Sequence, residues 1–135
     1  MSDNNKVSIS LEYFPPKTEN GKTNLIEANQ ALACLNPAYR SCTFGAGGST
    51  RSGTIETVKT LIESGNKTYP HISCVGSTKQ DIRKLLANYQ TIGVEKLVVL
   101  RGDITDNSAL GELSHASDLV RFIRKENGNT FKLEV

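Results

Sequence analysis

Hydrophobic and polar positions along the chain switch regularly between two periods. Residues 7–14, VSISLEYF, alternate with period two and predict a strand with unlike faces: Val7, Ile9, Leu11 and Tyr13 on one, Ser8, Ser10, Glu12 and Phe14 on the other. Residues 23–35, TNLIEANQALACL, carry helical spacing, and residues 39–44, YRSCTF, return to a strand. In residues 54–65, Ile55, Val58, Leu61 and Ile62 share a helical face, with Thr54 as the expected N-cap and Gly65 as the stop. HISCV, residues 71–75, predicts a third strand. Residues 77–93 then place Ile82, Leu85, Leu86, Tyr89 and Ile92 on one helical face, with a Thr78/Asp81 capping box and Gly93 at the end.

EKLVVLRGD, residues 95–103, holds four apolar residues in a row, the mark of a strand covered on both sides. A helix with Ala116, Leu119, Val120 and Ile123 as its stripe and a last strand over residues 130–135 complete the order β-α-β-α-β-α-β-α-β. Such alternation requires a parallel sheet with crossover helices, an α/β fold. A doubly wound sheet announces a nucleotide site by a glycine fingerprint after its first strand, whereas this strand ends in Pro15-Pro16. The two-faced first strand favours the (β/α)8 TIM-barrel type, with Glu12 on the inner face near the rim. Only the first five strands and four helices are present, against about 250 residues for a whole barrel. The expectation is therefore one domain over residues 1–135, either the front part of a longer barrel or a chain that covers its sheet edges by pairing.

Charge and cysteine content narrow the classes further. The formal net charge of +2, from 16 basic and 14 acidic residues without a basic block, argues against nucleic acid as a partner. No apolar run reaches membrane-spanning length and the first residues lack a signal-peptide pattern, so a soluble, cytoplasmic chain is expected, with no membrane partner. Three cysteines, Cys34, Cys42 and Cys74, contain no CxxC pair; they read as small core residues, and no metal site is expected despite the His71-x-x-Cys74 spacing.

Candidate chemistry collects at the predicted strand ends: Glu12, Thr43 with the following GAGGSTRSG, His71 placed at the start of the third strand, and Arg101-Gly102-Asp103 after the fourth. In a lumen flanked by Leu11, Tyr13 and Phe14, burial would raise the pKa of Glu12 toward the range of a general acid. Asp103, beside Arg101, is expected to stay ionised, so that the two carboxyls divide proton donation from charge stabilisation. The glycine-rich segment is neither a Walker loop nor GxGxxG; it reads as a connection, or as backbone that approaches a ligand with Arg51 supplying charge. Arg-Gly-Asp matches an adhesion tripeptide, a reading disfavoured where it closes a buried strand.

SLEYFPPKT, TFGAGGSTR, PHISC and LRGD, in this order, together with HASDLV, resemble the N-terminal part of the methylenetetrahydrofolate reductase family, and the likeness runs from about Val7 to Val135. The resemblance implies an FAD-containing barrel that reduces 5,10-methylenetetrahydrofolate to 5-methyltetrahydrofolate with NADH or NADPH, for methionine synthesis. It implies that Glu12 is the general acid toward the folate and that Asp103 stabilises the resulting cation, both touching substrate. Thr43, Phe44, Ala46, His71, Arg101, Gly102, Asp103 and Ala116 would line the FAD site, with Phe44 where a tyrosine is common. The complete protein is expected to be a homo-oligomer, and the present chain alone to turn over little. The alternatives are a non-catalytic half-barrel that self-associates or docks on a full-length reductase, and another barrel enzyme for a pterin or phosphorylated substrate.

Overall fold

The computed structural model describes residues 6–45, 51–104 and 111–135. Strands β1 (Ser10–Tyr13), β2 (Tyr39–Cys42), β3 (Thr68–Ser73), β4 (Lys96–Leu100) and β5 (Lys132–Glu134) alternate with helices α1 (Glu19–Leu32), α2 (Arg51–Glu63), α3 (Lys79–Thr91) and α4 (Ala116–Asn127). All pairings are parallel and the sheet order is β1-β2-β3-β4-β5. Each strand lies beside its predecessor, so the right-handed crossover rule puts every helix on the same face. A doubly wound sheet would reverse direction and populate both faces. The α/β architecture is thus an arc of a (β/α)8-type barrel.

Register shows which residues share a face. Glu12 pairs with Ser41, Ser41 with Tyr69, and His71 with Val98, so these side chains occupy the face away from the helices. On the helix side Cys42, Ile72, Cys74, Leu97 and Val99 are buried with Val58, Ile82, Leu86 and Tyr89 of α2 and α3 and Leu119 and Ile123 of α4. Each Leu or Ile so buried contributes roughly 1.5–3 kcal/mol. The apolar run of β4 is covered on one side only: Leu97 and Val99 are buried, while Leu100 is 38% exposed. That corrects the two-sided burial inferred from the run, because the arc leaves its inner face open.

Helix ends follow local chemistry. The Thr78 hydroxyl accepts from the Asp81 amide while the Asp81 carboxylate accepts from the Thr78 amide, the expected capping box, worth about 1 kcal/mol. Gly65 and Gly93 close their helices with φ of +85° and +87°. Helix α1 starts earlier than its apolar stripe suggested, at Glu19, because the Thr18 hydroxyl accepts from the Gly21 amide at 3.0 Å. Helix α2 begins at Arg51, so Thr54 is not an N-cap; it lies inside the helix and its hydroxyl donates to the Thr43 carbonyl at 2.8 Å. Cys42 and Cys74 are core residues as expected, and burial pushes the Cys42 thiol up to about 12. Cys34 is exposed, against the expectation of a core residue, on the short helical turn 33–35 that buries no residue.

A polar seam replaces part of the core beneath α1. Asn29 is buried, and its side-chain oxygen accepts from the Tyr13 hydroxyl at 3.2 Å and from Arg40 Nε at 3.0 Å. This clamp binds β1 and β2 to α1 through satisfied hydrogen bonds rather than apolar contact.

Candidate functional site

The parallel arrangement gathers the C-terminal ends of the strands at one rim, where (β/α)8 folds place their chemistry. Glu12 is the third residue of β1 and projects from the inner face, next to β2. His71 is the fourth residue of β3, not its first, because β3 begins at Thr68. Its Nε2 lies 3.8 Å from Glu12 Oε2. Burial lowers the His71 pKa and outweighs the opposing pull of the Glu12 charge. The imidazole is therefore neutral at neutral pH, and the contact is a close polar approach, too long for a hydrogen bond.

Glu12 itself is 57% exposed at its side chain. The enclosure that the sequence argument required is not supplied by the described residues. Leu11 and Tyr13 turn to the helix layer, and Phe14 is 66% exposed.

Thr43 follows β2 directly. Its amide donates to the Tyr13 carbonyl at 3.0 Å, its carbonyl receives the Thr54 hydroxyl, and its own Oγ1 is buried with no hydrogen-bond partner among the described residues. An orphaned buried hydroxyl costs about 1–3 kcal/mol, so its position fits a polar group of a ligand. Arg101 and Gly102 are bolted to the end of β3: the Arg101 carbonyl accepts from the Val75 amide at 3.0 Å and from Cys74 Sγ at 3.4 Å. Gly102 has φ +89° and passes so close that a Cβ would lie 3.0 Å from Ser73 Cβ. Only glycine brings the backbone in this near.

Asp103 is exposed just beyond, with no ion pair to Arg101 among the described residues. Ala116, half-buried, is the first residue of α4. Ala46 and most of the glycine-rich segment lie outside the described residues. Among the described residues no group of His, Cys, Asp and Glu could hold a metal, and no helix is long and apolar enough to cross a membrane.

Several contacts of the rim and lumen join residues far apart in the sequence. Arg51 stacks over the Phe44 ring at 5.3 Å and donates through Nη2 to Ser77 Oγ at 2.6 Å and the Gly76 carbonyl at 3.4 Å. At the lower end of the inner face, Lys96 Nζ sits 5.5 and 5.1 Å from the rings of Tyr39 and Tyr69 and 2.7 Å from Glu134 Oε1. Period-two parity puts Tyr39, Tyr69 and Lys96 on that face, which was the available clue.

An inner-face carboxylate beside a neutral imidazole, a buried hydroxyl and close-passing glycines thus lie at the strand-end rim of one arc of a barrel. The chain belongs to the methylenetetrahydrofolate reductase family, whose sequence model matches residues 1–135. It is 31% identical over 121 residues to the 5,10-methylenetetrahydrofolate reductases of Escherichia coli and Salmonella typhimurium, covering 89% of this chain and 40% of each relative. It is 32% identical over 136 residues to methylenetetrahydrofolate reductase (NADH) 1 of Zea mays, covering 96% of this chain and 23% of that protein. The chain thus spans about 40% of the length of the bacterial relatives it matches.

Proposed function

We propose that this chain forms the front part of a site that reduces 5,10-methylenetetrahydrofolate to 5-methyltetrahydrofolate, with NADH or NADPH as reductant, FAD as cofactor and a cytoplasmic setting. The observation that carries the reading is the convergence of Glu12, His71 and the orphaned Thr43 hydroxyl at one rim. Thr43, Phe44, His71, Arg101, Gly102, Asp103 and Ala116 would hold the flavin, and the close pass of Gly102 and the unpartnered Thr43 Oγ1 fit such a group. The chemistry supplied by bound FAD is hydride storage between the two substrates.

The chain's own residues supply the rest. Glu12 is the group that passes a proton to the folate, opening the five-membered ring to an iminium cation. Neutral His71 leaves that carboxyl without a competing charge. Asp103 places a negative charge at the rim, where it favours the cation. Because Glu12 is 57% exposed, the proton would be handed over efficiently only once the mouth is closed, so the 135-residue chain alone is read as nearly inactive.

The test is a flavin fluorescence titration of the chain, alone and joined to the remaining barrel of its Escherichia coli relative. Saturable FAD binding, weakened by Thr43→Val, with flavin that NADH bleaches and methylenetetrahydrofolate restores, is expected of the joined protein. No saturable binding in either form overturns the reading.

A further inference from the structure

Ser77 is 2% exposed and joins three strand-end segments. Its hydroxyl accepts from Arg51, the first residue of α2, and its carbonyl accepts from the Glu112 amide at 3.2 Å. Its amide donates to the Cys74 carbonyl at 3.2 Å, closing the turn after β3. Gly111 approaches the same turn so closely that a Cβ would stand 2.7 Å from the carbonyl oxygens of Cys74 and Ser77. The segments leaving β2, β3 and β4 therefore meet at one buried serine.

Arg51 is the side chain that brings the first of these segments in. Its guanidinium covers the Phe44 ring and grips the turn after β3 with one nitrogen, although both of its acceptors there are neutral. No carboxylate pairs with Arg51 among the described residues. Its planar fork permits both contacts at once, which an ammonium on a flexible stem does not.

We propose that Arg51 is a positioning residue that fixes the Phe44 ring and the turn after β3 relative to each other, and so presets the rim for the planar cofactor. The inference rests on the FAD reading above. It assigns Arg51 no contact with flavin; the residue acts through Phe44 and Ser77.

The experiment compares the wild-type chain with Arg51→Met, Arg51→Lys, Ser77→Ala and the Arg51→Met/Ser77→Ala double variant, each joined to the rest of the barrel as above. Flavin titration gives affinity, thermal unfolding gives global stability, and amide hydrogen exchange is followed at Ser77 and Glu112. The expected result is about a tenfold loss of FAD affinity in Arg51→Met, the worth of one charge-assisted hydrogen bond. Arg51→Lys should not rescue it, and the double variant should lose no more than Arg51→Met, because the two residues act as a unit.

Exchange at Ser77 and Glu112 should accelerate in Arg51→Met while Ile72 and Leu97 stay protected, with the melting temperature lowered by only a few degrees. Full rescue by lysine would mean that charge alone matters, and would overturn the proposal, as would unchanged affinity in Arg51→Met. If the wild type takes up no flavin, the functional reading fails. The exchange data then decide the positioning role alone, and unchanged exchange at Ser77 and Glu112 sinks it.

Discussion

Replacing Gly111 with alanine puts a number on the close packing at the rim. The added Cβ would lie 2.7 Å from two backbone oxygens, of Cys74 and Ser77, and 3.0 Å from the Ser77 amide nitrogen. None of these atoms belongs to a side chain that can swing aside. An ordinary contact needs about 3.4 Å or more, so the segment carrying Gly111 must retreat by about 0.7 Å. Such overpacking costs about 1–3 kcal/mol, against which the stiffer unfolded chain of an alanine returns about 0.4–1 kcal/mol.

The net expectation is a loss of about 1–2 kcal/mol. For a domain of this size that lowers the melting temperature by roughly 3–8 °C. Differential scanning calorimetry on the chain measures it, with exchange at Glu112 reporting whether its bond to the Ser77 carbonyl has opened. Gly65→Ala is the control for conformation alone: it has φ +85° and none of the described residues within 4 Å of an added Cβ, so it should cost about 1–2 kcal/mol without moving Glu112. Unchanged or raised stability in Gly111→Ala, with Glu112 still protected, would refute the close approach.

Two further predictions follow from buried polar groups. The Tyr89 hydroxyl is fully buried with no partner among the described residues, so Tyr89→Phe should raise stability by about 1 kcal/mol, seen as a higher urea midpoint at unchanged slope; a lower midpoint would show that the hydroxyl is satisfied. Burial lowers the His71 pKa below its ordinary 6.5, so the unfolded chain binds more protons than the folded one in that window and stability must fall as pH drops below 6.5. His71→Gln should flatten urea stability between pH 7 and 5.5, and Glu12→Gln should steepen it by removing the opposing charge; the reverse order would contradict the assignment.

The alternation of periods carried the strand and helix order, because each element buries one face against the other layer. Parity likewise put Glu12 opposite Leu11 and Tyr13, and the register confirms that face. What parity could not carry was enclosure. Val98 and Leu100 read as buried in the run LVVL, yet they point to the inner face, whose cover depends on atoms distant in sequence.

The start of α1 escaped because residues 19–22 contribute no apolar residue and only the Thr18 cap marks it. Thr54 misled because a hydroxyl before an apolar stripe looks the same whether it caps a helix or bonds a carbonyl eleven positions back. The Arg51–Ser77 bond spans 26 residues, and no local pattern encodes a pair at that separation.

The unbroken strand order bears on how the chain is made. Every strand hydrogen-bonds to the one synthesised just before it, so each new β-α unit can dock on a finished template while the following residues are still in the ribosome. Growth runs in one direction: each new unit pairs with the newest strand, while the outer edge of β1 stays open. The Asn29 clamp on Tyr13 and Arg40 secures the oldest unit, α1 with its two strands, before any later helix arrives. A barrel built in this order needs no long-range search until its last strand meets its first.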